Sequence, residues 1–404
     1  MNLASVAALS KHEEPRWSFV LVMGALMTLA SISTDLYLPA LPMMSREFRL
    51  SPVEAQATLA SFMTGMGVSQ LFYGPLSDRV GRRRTMLLGV GIYIAGTAAC
   101  GLANSIRMLI IARFVQAVGA CSAHVVPRAM IRDKFALRGS AQVMSKLSVA
   151  TGAAPMFGPL LGGYLSTVFH WRSVFIVPAI VALLIGSWIY YRIEETVSDG
   201  SMLRARSEPA IRSVLGLFTE RTVMGFVLCG AFNASVFFAY LVSAPELLMG
   251  IYHIPPQRFG WVFATNAIGY ILTNQLNARL LHHYDPLTIL RAVRLPTILV
   301  AVVLVYNAYT NTFGMLGVLV PLFFALASGG VIGANTAACA LNADPSRAGS
   351  ISSLIGMLAY GLAALVSLLA GLFQNGTAQP MAIIILCSMI ASAFSLFVIV
   401  RPAA

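Results

Sequence analysis

Apolar residues in this chain gather into twelve long runs, each near the roughly 20 residues an α-helix needs to cross a bilayer. The runs are Trp17–Leu38, Ala57–Leu76, Met86–Leu102, Met108–Arg128, Val143–Phe169, Val174–Tyr191, Val223–Met249, Phe259–Leu280, Leu287–Tyr306, Phe313–Leu341, Ser350–Phe373 and Met381–Val400. Most connections between them are short, which makes neighbouring helices antiparallel. The longest polar interruption, Arg192 to Arg221, holds Glu194, Glu195, Asp199, Gly200, Glu208 and Pro209 and divides six runs from six. The pattern predicts an all-α integral membrane protein of twelve transmembrane helices. An N-terminal six-helix bundle covers residues 1–192, a mobile cytoplasmic linker 193–220, and a C-terminal six-helix bundle 221–404.

The two halves echo each other. Gly74-Pro75-Leu76-Ser77-Asp78-Arg79 aligns with Asn274-Gln275-Leu276-Asn277-Ala278-Arg279, Gly119 with Gly329, and Gly139-Ser140 with Gly349-Ser350. A near-constant offset suggests two related, pseudo-symmetric bundles side by side, as in two-lobed transporters. The second copy carries Ala278 where the first has Asp78, so any gating chemistry there is asymmetric.

Composition agrees. The 404 residues are 58% hydrophobic and 10% charged, against about 45–50% and about 25% in soluble domains. A net charge of +12 raises the possibility of nucleic-acid binding. The arginines instead concentrate in alternate loops: Arg79 with Arg82 to Arg84, Arg132 with Lys134 and Arg138, Arg192 with Arg204 and Arg206, Arg279 with Arg291 and Arg294, then Arg347. Cationic loops stay cytoplasmic, so both termini are expected there and no nucleic-acid partner is. The first run lacks a following small-residue cleavage site and reads as a retained helix. Cys100, Cys121, Cys229, Cys339 and Cys387 lie inside apolar runs without a CxxC pair, as small core residues do. No His/Asp/Glu cluster or activated nucleophile sits at membrane depth, so neither an enzyme, a metal site nor a bound cofactor is expected.

The 15 acids lie almost entirely in loops or at helix ends; Asp35 is the exception. An ionisable group inside the membrane costs roughly 2.5–3.5 kcal/mol or more and normally faces a cavity; otherwise the first helix ends early and Asp35 caps it. Arg113, about 9 Å into the fourth run from Arg107, lies at similar depth and is its natural partner. A guanidinium nearby favours the charged carboxylate, and separating the two favours the protonated one. The pair therefore reads as a proton-loading device or as a static tie between two helices.

Polar and aromatic side chains at cavity depth are Tyr37, Asn233, Phe237, Phe238, Tyr240, Asn266, Tyr270, Phe323, Phe324 and Asn335. Rings with scattered amides suit an uncharged, amphipathic guest; some of these rings face lipid instead. The fifth run carries Gly152, Pro155, Gly158, Pro159, Gly162 and Gly163. Small residues three and four apart form a flat stripe that permits close helix contact. The segment Gly74 to Arg84 packs Asp78, Arg79, Gly81, Arg82, Arg83 and Arg84 into one turn between two apolar runs.

These motifs resemble the major facilitator superfamily of transporters. Gly74 to Arg84 is similar to its signature loop, Arg113-Phe114-Val115-Gln116-Ala117-Val118-Gly119 to its fourth-helix motif, and Gly152 to Gly163 to the fifth-helix motif of drug–proton antiporters. Thr34-Asp35-Leu36-Tyr37-Leu38-Pro39-Ala40, with Arg132-Asp133, looks like the Bcr/CflA branch of twelve-helix drug exporters. The resemblance implies a monomer in the bacterial inner (plasma) membrane. It implies alternating access and export of drugs such as phenicols, bicyclomycin or sulfonamides, driven by the proton motive force without a cofactor. It also implies that Asp35 and Arg113 line the central cavity, and that Asp78 docks at the start of the eleventh helix near Arg347 to Gly349. No second acid stands two turns before Asp35, which argues against strongly cationic cargo. An exporter or facilitator of a small metabolite on the same fold is the alternative, and a non-transporting sensor the third reading.

Overall fold

The computed structural model of the chain describes residues 17–134, 157–196 and 210–400, together with Val143 and Leu147. Every one of the twelve apolar runs carries a described helix. α1 (Trp17–Asp35) ends before Pro39, and a 3₁₀ turn (Leu38–Ala40) leads into the short α2 (Leu41–Phe48). α3 (Pro52–Val80) starts from a capping box, with the Ser51 hydroxyl and Glu54 carboxylate each holding the other's backbone N–H. α4 (Arg82–Gly101), α5 (Ile106–Lys134), α6 (Phe157–Phe169) and α7 (Ser173–Arg192) complete the first half. After the short α8 (Ala210–Leu217) come α9 (Arg221–Pro245), extended by a π turn (Glu246–Ile251), then α10 (Pro256–Leu280), α11 (Pro286–Thr310) and α12 (Gly314–Ala343). A 3₁₀ turn (Pro345–Arg347), α13 (Ala348–Leu372), α14 (Gln379–Phe394) and a final π turn (Ser395–Ile399) follow. Among the described residues, nine helical stretches are long and apolar enough to cross a membrane. α3 and α10, at the second and eighth runs, match them in length but are more polar, and α6 covers the C-terminal part of the fifth run.

Packing repeats between the halves. In the first, α5 lies against α1, α3 and α4, and α7 against α1 and α4; in the second, α12 lies against α9, α10 and α11, and α14 against α9 and α11. The pair α3–α13 joins the halves along much of its length. Glycines set that approach: Gly67 faces the Gly361 backbone, Gly356 faces Gln70, and Gly371 faces Val53 and Gln56. In lipid, where apolar side chains gain nothing by leaving their surroundings, such small-residue seams are what let helices associate.

Two expectations need correction. The predicted linker is not free at its ends: α8 packs on α13 with Val214 and Leu217 buried, and Glu195 is fastened to the start of α4. Residues 197–209 lie outside the described residues. Arg294, counted among the loop cations, is buried in α11, where it donates to Ser392 Oγ at 2.9 Å and Cys229 Sγ at 2.6 Å.

Candidate functional site

Asp35 is the last residue of α1 and only 3% exposed, and its Oδ2 has no hydrogen-bond partner. It reaches this position because α6 has Gly158 opposite, where a methyl group would strike the Asp35 side chain. The carboxylate lines a small cavity of about 90 Å³ with Ser31, Thr34, Phe62, Phe237, Phe238 and Tyr360. Burying a carboxylate without a partner is costly unless a proton or a ligand neutralises it.

Arg113 is fully buried nearby but does not pair with Asp35, contrary to the sequence expectation. Its Nη1 donates to Gln116 Oε1 at 2.6 Å and to the Ser33 carbonyl at 3.2 Å. The guanidinium is held between the rings of Tyr37 and Phe62, 4.4 and 4.2 Å from their centroids. Phe62 both stacks on Arg113 and lines the Asp35 cavity, so a ring stands where an ion pair was expected. Tyr37 likewise belongs to the core of the first half and not to a cavity: it is buried, and its hydroxyl bonds Thr58 Oγ1 at 2.5 Å.

A second cavity of about 510 Å³ opens between α9, α10 and α12. Asn233, Phe237, Asn266 and Tyr270 line it, together with Asn274 and Gly329. None of its lining residues is charged. Tyr240 sits behind this wall, fully buried, its ring 4.9 Å from that of the lining Phe263. The Tyr240 hydroxyl is buried beside the side-chain amide of Asn266. Two expected lining residues are elsewhere. Phe324 is on an exposed stripe of α12 with Leu316 and Val320, the i, i+4, i+8 face. Asn335 is buried against α10, donating to Asn277 Oδ1 at 2.7 Å.

At the arginine-rich end, the turn between α3 and α4 is the single residue Gly81, at φ 107°, a conformation only glycine adopts readily. The missing side chain leaves room for the Glu195 carboxylate, which accepts from the backbone N–H of Arg82 at 2.7 Å and of Arg83 at 3.2 Å. An acid at a helix N-terminus meets the positive end of the helix dipole. The buried Arg82 bridges Asp78 at 2.5 Å and Asp133 at 3.0 Å, and also donates to Ser77. Arg83 reaches the Tyr190 carbonyl at 2.6 Å; Arg79 is half-buried on α3. Gly74 faces Ser353 of α13. The expected docking of Asp78 at the start of α13 is not formed, because Asp78 is taken by Arg82 and Arg347 by Asp344 and Glu220. Bonds to Asp344, then Glu220, push the Arg347 guanidinium above its ordinary value. In the second half Asn277, which aligns with Ser77, pairs with Asn335 of α12 through neutral amides, and Ala278 stands where the first half has Asp78.

Of the fifth-run motif, Gly152 and Pro155 lie outside the described residues. Gly158 and Gly162 face Asp35 and the Leu36 backbone of α1, Gly163 faces the Pro256 carbonyl at the start of α10, and Pro159 is buried between them. The reading from sequence missed Gln56, Phe62, Glu195 and Asn277. Asn277 was visible in the internal repeat; Gln56, four residues after the start of α3, carried no local signal.

Residues 23–368 match the sequence profile of the Major Facilitator Superfamily. The chain is 30% identical over 370 residues to a bicyclomycin resistance protein homolog of Haemophilus influenzae, covering 92% of this chain and 93% of that protein. It is 28% identical over 296 residues to a chloramphenicol resistance protein of Pseudomonas aeruginosa, covering 70% and 67%. Among solved structures, that of a D-xylose–proton symporter matches with a TM-score of 0.76 over 95% of this chain and 98% of that one. At 16% identity this last likeness is one of fold. The sequence match across most of the chain, set on a helical frame of this architecture, means that this multi-pass membrane protein belongs to the major facilitator superfamily and is a transporter, not an enzyme.

Proposed function

We propose that the protein exports small amphipathic drugs, such as phenicols, bicyclomycin or sulfonamides, across the bacterial inner membrane in exchange for protons. It works as a monomer with both termini in the cytoplasm. The observation that carries this reading is Asp35, a carboxylate buried without a partner beside a cavity built from both halves. The uncharged cavity between α9, α10 and α12 suits a neutral, partly aromatic cargo. The relatives named for bicyclomycin and chloramphenicol resistance support the same substrate class.

In this reading residues 1–192 and 221–404 rock against each other, tethered by 193–220. The glycine seams of α6 with α10 and of α3 with α13 form the sliding contacts, and the Asp78–Arg82–Asp133 network sets the balance at the cytoplasmic face. Asp35 takes a proton from one side and gives it up towards the other as cargo moves outward. Arg113 stays in the first half, fixing α1 through the Ser33 carbonyl.

The test uses proteoliposomes with an imposed proton gradient and a pH-sensitive dye inside. Drugs are added in turn to wild type and Asp35→Asn. Drug-triggered proton movement in wild type, lost in a folded Asp35→Asn protein, is the expected result. No proton movement with any drug points instead to a metabolite exporter or facilitator. Normal uphill export by Asp35→Asn removes the proton from Asp35.

A further inference from the structure

The Asp35 cavity and the larger cavity are neighbours, and among the described residues one side chain lines both: Phe237 of α9. Its ring is 41% exposed, although it sits in a helix packed on several sides. It meets Phe238 edge-on at 5.6 Å, and Phe238 meets Tyr360 of α13 at 5.7 Å. Both of these rings line the Asp35 cavity. The wall between a site suited to a neutral guest and a buried carboxylate is therefore made of rings. A neutral guest has no charge with which to compete for Asp35. Whatever it does to the carboxylate has to pass through the shape of that wall.

We infer that Phe237 is the positioning residue that couples cargo to the proton: a guest filling the larger cavity displaces its ring and opens the Asp35 cavity to water. The Asp35 carboxyl then gives its proton to that water, and the negative charge left behind is hydrated. The moving part is one aromatic rotamer, an element with discrete arrangements that cargo can bias. Among the described residues, the charged and titratable groups facing Asp35 are few. Arg113 of α5 stands behind the Phe62 ring, and Tyr360 lies on α13; Phe62 and Met63 of α3, Gly158 of α6 and Phe237, Phe238 and Leu241 of α9 contribute none. The inference rests on the proton-coupled export reading above.

The experiment measures protons released per drug bound when saturating chloramphenicol is added to purified full-length protein in weakly buffered detergent with a pH indicator. Wild type releases protons. In Phe237→Ala the wall is permanently open, so protons released per bound drug fall at least about tenfold at saturation, whatever happens to affinity. Phe237→Tyr keeps the ring and retains release. Wild-type release from Phe237→Ala overturns the inference while leaving antiport intact. So does loss of release in a drug-binding Phe237→Tyr, and so does a Phe237→Ala protein that no longer binds chloramphenicol, since Phe237 is then only a cargo contact. Absence of release from wild type overturns the export reading itself, and the inference with it.

Discussion

Gln56 is the polar latch between the halves at the end opposite the Gly81 turn, and its removal should shift the conformational balance of the transporter. It is buried in the first turns of α3. Its Nε2 donates to the Val242 carbonyl of α9 at 2.7 Å, and Ser367 Oγ of α13 donates to the Gln56 carbonyl at 3.0 Å. Gln56→Ala removes the bond to Val242 and leaves Ser367 its backbone acceptor. A buried polar group deprived of its partner costs about 1–3 kcal/mol. If the halves part at this end in the alternate state, the whole loss falls on the closed state, an equilibrium shift of about 5- to 150-fold. Ser367→Ala deletes one neutral hydroxyl donor, shared between the Gln56 carbonyl and, at 3.4 Å, Gln56 Oε1, worth about 0.5–1.5 kcal/mol, and should shift the same equilibrium less. The assay is a pulsed electron spin resonance distance measurement between labels at Arg46 and Asn375, both exposed at this end, in protein cleared of native cysteines. Gln56→Ala should enlarge the long-distance population, and Ser367→Ala should do so by a smaller factor. A distance distribution identical to that of the parent in a folded, monodisperse Gln56→Ala protein would falsify the latch.

Three further outcomes are expected. Gly81→Ala puts a side chain into a conformation that costs about 1–3 kcal/mol and displaces Glu195 from the start of α4, so its melting temperature in detergent should fall; an unchanged value contradicts this account of the turn. Asn335→Leu strands the buried Asn277 amide and should cost about 1–3 kcal/mol, most of it regained in Asn277→Leu/Asn335→Leu; additive losses in the melting temperatures would refute the pairing. Asp78→Asn leaves Arg82 its bonds to Asp133 and Ser77, and Asp78 is 45% exposed, so the stability loss should be at most about 1 kcal/mol. Turnover should slow more than drug affinity weakens; weakened affinity with normal turnover would place Asp78 in the binding step instead.

The sequence by itself determined the order of the long apolar helices, because crossing a bilayer demands a length of apolar chain that can be counted. It also determined an arginine-rich turn within Gly74 to Arg84, which the structure narrows to the single residue Gly81, and the isolation of Asp35, since an acid within an apolar run stands out whatever surrounds it. Rotation about each helix axis is not written in depth. Phe237 and Phe324 are alike in sequence terms, yet one lines a cavity and the other an exposed stripe. Arg294 follows the start of its helix closely enough to read as a loop cation, but packing against Cys229 and Ser392 draws it inside. The sequence pairs Asp35 with Arg113, and only the tertiary structure decided that the Phe62 and Tyr37 rings hold the guanidinium and leave the carboxylate unpaired. Partners of buried polar groups depend on which helix faces meet, and that is fixed by glycine seams acting between segments far apart in the chain.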